Sequence, residues 1–206
     1  MYLAAFARCF FTFLMIKKVS VCGVWPFFSI FVVKNKAARV QVTSHTPFKK
    51  MKTTLLLVGK TTDKHISACI DDYTGRIVHY MPFDIQTIPE LKNTKNLSIA
   101  QQKEREGEQI LRQILESDHV VLLDEHGIER RSIDFASWLE KKSMSTRRMV
   151  FVIGGAYGFS PEVYQRANEK ISLSQMTFSH QMVRLVFVEQ VYRACTIIKG
   201  EPYHHE

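Results

Sequence analysis

The run Ile153-Gly154-Gly155-Ala156-Tyr157-Gly158 follows a short apolar stretch and precedes a helix-start signal. Glycines there permit positive φ and let a ligand approach backbone amides closely. The spacing, G-G-x-x-G, is not the dinucleotide pattern G-x-G-x-x-G. Nor is it a P-loop, because no G-K-[ST] follows. A tight strand-to-helix turn explains it equally well. Residues 172–178, SLSQMTF, are rich in small and hydroxyl side chains, and such a strand exit could offer backbone amides and carbonyls to an adenine. His180 and Arg184 stand four apart, one above the other on a helix face. Arg184 is the only charge in Met-Val-Arg-Leu-Val-Phe-Val, residues 182–188, and is expected to meet an anionic partner. Cys9, Cys22, Cys69 and Cys195 are too far apart for C-x-x-C or zinc-knuckle chemistry. Buried thiols in a reduced, cytoplasmic protein are expected.

Alternating strands and helices must position these groups. Residues 53–58 (TTLLLV), 83–88, 120–123, 149–153 and 171–173 read as strands. Helices are expected over 63–73 with Asp63 as cap, from Ser98 through Leu115, over 134–142, from Ser160-Pro161 towards Asn168, and over 181–198. Asp124-Glu125-His126-Gly127 reads as a turn. The pattern predicts an α/β fold with a mostly parallel sheet and helices on both faces. In such sheets ligands sit beyond the carboxyl ends of the strands, here near Leu123, Gly154-Gly155 and Leu173-Ser174. The last helix is apolar nearly all round (Val183, Leu185, Val186, Phe187, Val188, Val191, Tyr192), which predicts burial of a second face against another subunit.

Composition excludes a disordered or fibrous chain: 46% of the 206 residues are hydrophobic and 23% charged. No apolar run reaches the roughly 18 residues of a membrane-spanning candidate, so no membrane association is expected. The net charge of +8 suggests a nucleic-acid binder, but its distribution is uneven. Residues 1–50 hold eight basic residues and no acidic one, which leaves 20 basic against 20 acidic residues in 51–206. Eight of the 14 Phe also fall in the first 50 positions. The expectation is therefore a leader, 1–50, of upstream or unstructured sequence, followed by one domain over 51–206 that starts at Met51. A membrane-surface role for the leader is the rival reading.

Taken together, VIGGxxG, SLSxMTFxHQMVRxxxxEQxYRA and a terminal PYHxE resemble the RlmH-type ribosomal RNA methyltransferases of the SPOUT class. LLLVGK and KEREGEQIL extend the likeness over essentially all of 51–206. The resemblance implies a C-terminal trefoil knot, a homodimer and S-adenosylmethionine held by the knot loops. Carried over by position, the cofactor contacts are Leu123, Gly154, Leu173, Ser174, Gln175, Met176, Thr177 and Phe178. The implied reaction is methylation of N3 of a pseudouridine in helix 69 of large-subunit rRNA, on the assembled ribosome. His180, Arg184, Tyr203 and His204 match the family's catalytic and tail motifs. Arg184 is expected to orient phosphate or base, and His180 or His204 to handle the proton. No metal is required, since methyl transfer from a sulfonium needs only alignment. Two residues depart from the family pattern: Ser179 stands where Pro is common, and His205 replaces a basic residue. A non-catalytic ribosome-binding factor with the same fold is the alternative.

Overall fold

A computed structural model describes residues 51–205; the expected leader, 1–50, lies outside the described residues. The elements run β1 (Lys52–Val58), α1 (Lys64–Ile77), β2 (Phe83–Ile88), α2 (Ile99–Leu111), β3 (His119–Glu129), α3 (Ser132–Ser145), β4 (Arg148–Ile153), α4 (Pro161–Arg166), β5 (Glu169–Ser172) and α5 (His180–Lys199). The five strands form one sheet in the order β2-β1-β4-β3-β5, and every pairing is parallel.

Side chains on a strand alternate between its faces, so a strand apolar at every position needs cover on both sides. Leu55, Leu57, Val121, Phe151 and Ile153 belong to one core, shared with Ile70 and Ile77 of α1, Leu139 of α3 and Phe187 of α5. Leu56, Val58, Val120, Leu122, Val150 and Val152 point the other way, onto Ile110 of α2 and Val163 of α4. Helices therefore cover both faces, as the unbroken apolar runs require. Phe151 and Phe187 meet at 4.8 Å between ring centroids, which anchors α5 to the middle of the sheet.

Local signals set most helix starts. Asp63 accepts from the amides of His65 and Ile66, Ser98 forms a capping box with Gln101, and Ser160 caps α4 ahead of Pro161. Gly107 lets α2 approach α4, because a Cβ there would stand 3.0 Å from that of Ser160.

The structure corrects four expectations. The helix from Ser98 ends at Leu111 instead of reaching Leu115, which is 60% exposed. Residues 124–127 are not a turn: β3 runs on to Glu129 through a bulge in which both Leu123 and Ile128 oppose Ile171. The extra residues let one strand continue along β5 after the interruption. The last strand ends at Ser172, before Leu173. Of the two described cysteines, Cys195 is buried, its thiol pushed up to about 12 by burial, but Cys69 is exposed. The second face of α5 is only half-covered: Leu185, Val186 and Tyr192 are intermediate in exposure. No described helix is long and apolar enough to cross a membrane.

Candidate cofactor and active site

A cavity of about 640 Å³ opens beyond the carboxyl ends of β3, β4 and β5. That size suits a small organic ligand. Leu123 reaches it from β3, Gly154 from the β4 exit, and Leu173, Ser174, Gln175, Met176, Thr177 and Phe178 from the β5 exit, so all eight expected cofactor positions line it. His180 and Val183 close it from α5, and Lys103 from α2.

Hydroxyl side chains fold the β5 exit onto itself. Ser172 donates to the carbonyl of Ser174 at 3.0 Å, and the Ser174 hydroxyl accepts from the amide of Met176 at 2.9 Å. Ser179 then caps α5, accepting from the amide of Met182 at 3.3 Å. A proline here would lack this cap, so the departure at 179 exchanges ring rigidity for a hydrogen bond. Gln181 accepts from the amides of Thr62 and Asp63, tying the start of α5 to that of α1. Met176 is 78% exposed within this loop. On the opposite wall, Tyr164 donates to Asp124 at 2.5 Å, and burial together with that carboxylate pushes the phenol up to about 12.

The glycines have distinct duties. A Cβ on Gly154 would stand 2.9 Å from the ring of Phe159, so this glycine is required first by packing behind the cavity. Gly158 holds φ at 80°, the left-handed region that favours glycine. The turn reading of this segment thus holds, and the same segment lines the cavity.

His180 lies at the cavity with its pKa held below the usual value, mainly by burial and then by Arg184, while Glu90 opposes the shift. Arg184 does not line the cavity. It is 3% exposed, and its guanidinium donates to the carbonyl of Val58 at 2.6 Å and to the Thr61 hydroxyl at 3.0 Å. The anionic partner expected for it is absent from these contacts; burial lowers its pKa and the field of Glu90 partly restores it. Tyr203 and His204 also lie off the cavity. Tyr203 donates to Glu189 at 3.1 Å and packs edge-on to Tyr192 at 4.9 Å, with the Arg193 guanidinium over its ring. His204 is half-buried and its Nδ1 has no hydrogen-bond partner among the described residues.

Sequence reasoning missed two carboxylates beside this site. Glu90 follows β2 and packs against Gly59, and Glu106 of α2 packs against Gly155. Glu106 stands one turn before Ile110 on the buried stripe, and that spacing was the available signal. Among the described residues no group of three or more His, Cys, Asp or Glu could hold a metal ion.

A parallel sheet with a ligand-sized cavity at its carboxyl edge, lined by small and hydroxyl residues, is the arrangement in which α/β domains hold small organic ligands. The family model described as "Predicted SPOUT methyltransferase" matches residues 51–204, and the chain belongs to that family. The chain is 61% identical over 157 residues to the Ribosomal RNA large subunit methyltransferase H of Phocaeicola vulgatus, which covers 76% of this chain and 100% of that protein. Proteins of the same name from Bacteroides fragilis and Flavobacterium psychrophilum are 59% and 54% identical, with the same coverage. Family membership implies the trefoil knot in the C-terminal part.

Proposed function

We propose that this protein uses S-adenosylmethionine to methylate large-subunit ribosomal RNA, at N3 of a pseudouridine in helix 69 of the assembled ribosome. The carrying observation is the cavity itself: the eight positions named by resemblance converge on one space of about 640 Å³ from three separate strand ends. The full-length match to relatives named as rRNA methyltransferases supports the substrate class. S-adenosylmethionine would supply a methyl group on a positively charged sulfur. Leu123, Gly154 and residues 173–178 would hold it, the loop amides and carbonyls reading its polar edges and Leu123 and Leu173 its flat faces. His180 faces the reacting end. Arg184 fixes the β1 exit beneath it through Val58 and Thr61.

The active unit in this reading is a cytoplasmic homodimer. A helix of 20 residues spans about 30 Å, so α5 carries Tyr203 and His204 far from the His180 end of the same chain. A tail that takes part in catalysis must then come from the second copy, whose half-covered α5 face offers the contact. The family match over 51–204 supports the reading that residues 51–206 suffice for the activity. Near-neutrality of that segment leaves affinity to a local patch and to the ribosome's own surface.

The test is methyl transfer from labelled S-adenosylmethionine to ribosomes purified from a strain lacking the gene, with the full chain and with a chain starting at Met51. Incorporation at one large-subunit pseudouridine is expected from both. Tight cofactor binding without transfer would favour the non-catalytic alternative.

A further inference from the structure

Four titratable groups gather beside the cavity on its β1 side, Glu90, Glu106, His180 and Arg184, and of these only His180 lines it. Glu106 differs from the rest. It is half-buried and has neither a hydrogen bond nor an ion pair with any described residue. Its carboxylate packs against Gly155, which lines the cavity; a Cβ at 155 would overlap Oε2 and stand 3.0 Å from Oε1. Lys103, one helical turn earlier on the same face, reaches the cavity wall. A bare carboxylate packed against the Gly155 wall of a methyl-transfer cavity is a base without a proton to take until substrate arrives.

We propose that Glu106 is the proton acceptor of the reaction, receiving the N–H proton of the base that is methylated. The proposal rests on the methyl-transfer reading above. As the N–H bond breaks, its proton passes to a Glu106 oxygen and its electron pair becomes the new N–CH3 bond. The pair of the broken S–CH3 bond stays on sulfur. A carboxylate and a cationic donor thereby become a carboxylic acid and a neutral thioether, so charge and atoms balance.

Burial chooses between Glu106 and His180. Desolvation penalises the charged form, which strengthens a carboxylate as a base and weakens an imidazole. Glu106 is raised by burial and then by the Glu90 carboxylate, whereas His180 is lowered by burial and then by Arg184. Among the described residues, Lys103 on α2, Asp124, Glu125 and His126 on β3 and His180 on α5 line the cavity, while Glu90 after β2 acts on Glu106 and His180, and Arg184 on His180, through their charge. Gly155 contributes by what it lacks. Its backbone φ is ordinary, so alanine there would displace the carboxylate without straining the chain.

Three measurements test this on the full chain. Carbon-13 NMR of the ligand-free protein should show the Glu106 carboxyl titrating above 4.5. Calorimetry with S-adenosylmethionine should give an affinity for Glu106→Gln within about threefold of wild type, since Glu106 does not line the cavity; Gly155→Ala, at a position that does, is read by its rate at saturating cofactor. Single-turnover methyl transfer to ribosomes should fall roughly 10²- to 10⁴-fold in both variants. The wild-type rate should drop about tenfold per pH unit below the Glu106 pKa. His180→Asn should keep that acid limb and Glu106→Gln should lose it. Retention of the rate or of the acid limb in Glu106→Gln overturns the proposal. So does a parallel loss of cofactor affinity, which would make Glu106 a cofactor ligand. A wild-type protein that binds S-adenosylmethionine but never methylates ribosomes overturns the substrate reading, and this inference with it.

Discussion

Arg184 on α5 donates to the main-chain carbonyl of Val58, the last residue of β1, at 2.6 Å. A guanidinium committed to a strand end in the interior is a support for that strand end. Arg184→Ala should lower the unfolding free energy by about 2–3 kcal/mol, the scale of a lost charged hydrogen bond with a stranded carbonyl. Chemical denaturation measures this. The slope of log ribosome affinity against log salt should stay unchanged, whereas loss of one phosphate contact would reduce it by roughly 0.7–0.9. A shallower slope would return Arg184 to the RNA surface.

Gly127 sits in the β3 bulge with Ile171 immediately opposite; a Cβ there would stand 2.6 Å from the Ile171 amide nitrogen. Backbone cannot step aside as a side chain can. Gly127→Ala should therefore prise β5 from β3 and cost about 1–3 kcal/mol. Cofactor affinity should drop with it, because residues 173–178 hang from β5. A variant with wild-type denaturation and wild-type affinity would show that the bulge has slack.

His180 gives a pH signature. Its folded pKa lies below 6.5, so the unfolded chain takes up its proton first as pH falls. Stability should decline from about pH 6.5 down to the folded value and lose nothing further from this group below it. Glu106, raised above 4.5, acts in the opposite sense: its contribution is lost as pH rises through its folded pKa. Subtracting the stability curve of His180→Gln from that of wild type isolates the histidine component, and a flat difference would contradict it.

Mixing subunits tests the assembly of the site. A Gly154→Val chain carries a side chain that meets Phe159, and a chain lacking residues 203–206 carries no tail. Each homodimer should be inactive. In a mixed dimer one site collects both defects and the other none, so activity should reappear at roughly the statistical share of mixed dimers. Silence from mixed dimers confirmed by mass would place each site within one chain.

Most of the fold was legible because punctuation and periodicity agree. Gly59, Asp63 and the Ser160-Pro161 pair mark boundaries that the structure keeps, and the unbroken runs in β1 and β4 announce cover on both faces. The bulge was not legible. Asp124-Glu125-His126-Gly127 has turn composition, and only the pairing with Ile171 carries the strand through it. Ile114 and Leu115 continue the apolar pattern of α2, yet the chain needs Asp118 for Arg148 and leaves the helix first. The cofactor segments could be placed because each follows a strand directly. Glu106 had one local signal, its place one turn before Ile110 on the buried stripe, but nothing local says that Glu90, 16 positions earlier, acts on it. Gly154 was read towards a ligand, but the ring of Phe159, five residues on, is what fills its missing side chain.

The central seam of the sheet also dictates an order of events. β1 pairs β2 and β3 pairs β4 across single helical crossovers, but β1 and β4 meet with Lys52 opposite Arg148, 96 positions away. Loop closure over that span must be met before any contact of the seam forms, and such non-local pairing slows folding. The chain should therefore ripen as two halves, β1-α1-β2 and β3-α3-β4, whose joining is the late and slow step. Pulsed hydrogen exchange during refolding should protect the amides between β3 and β4 ahead of those between β1 and β4; simultaneous protection would mean that the seam itself is the nucleus.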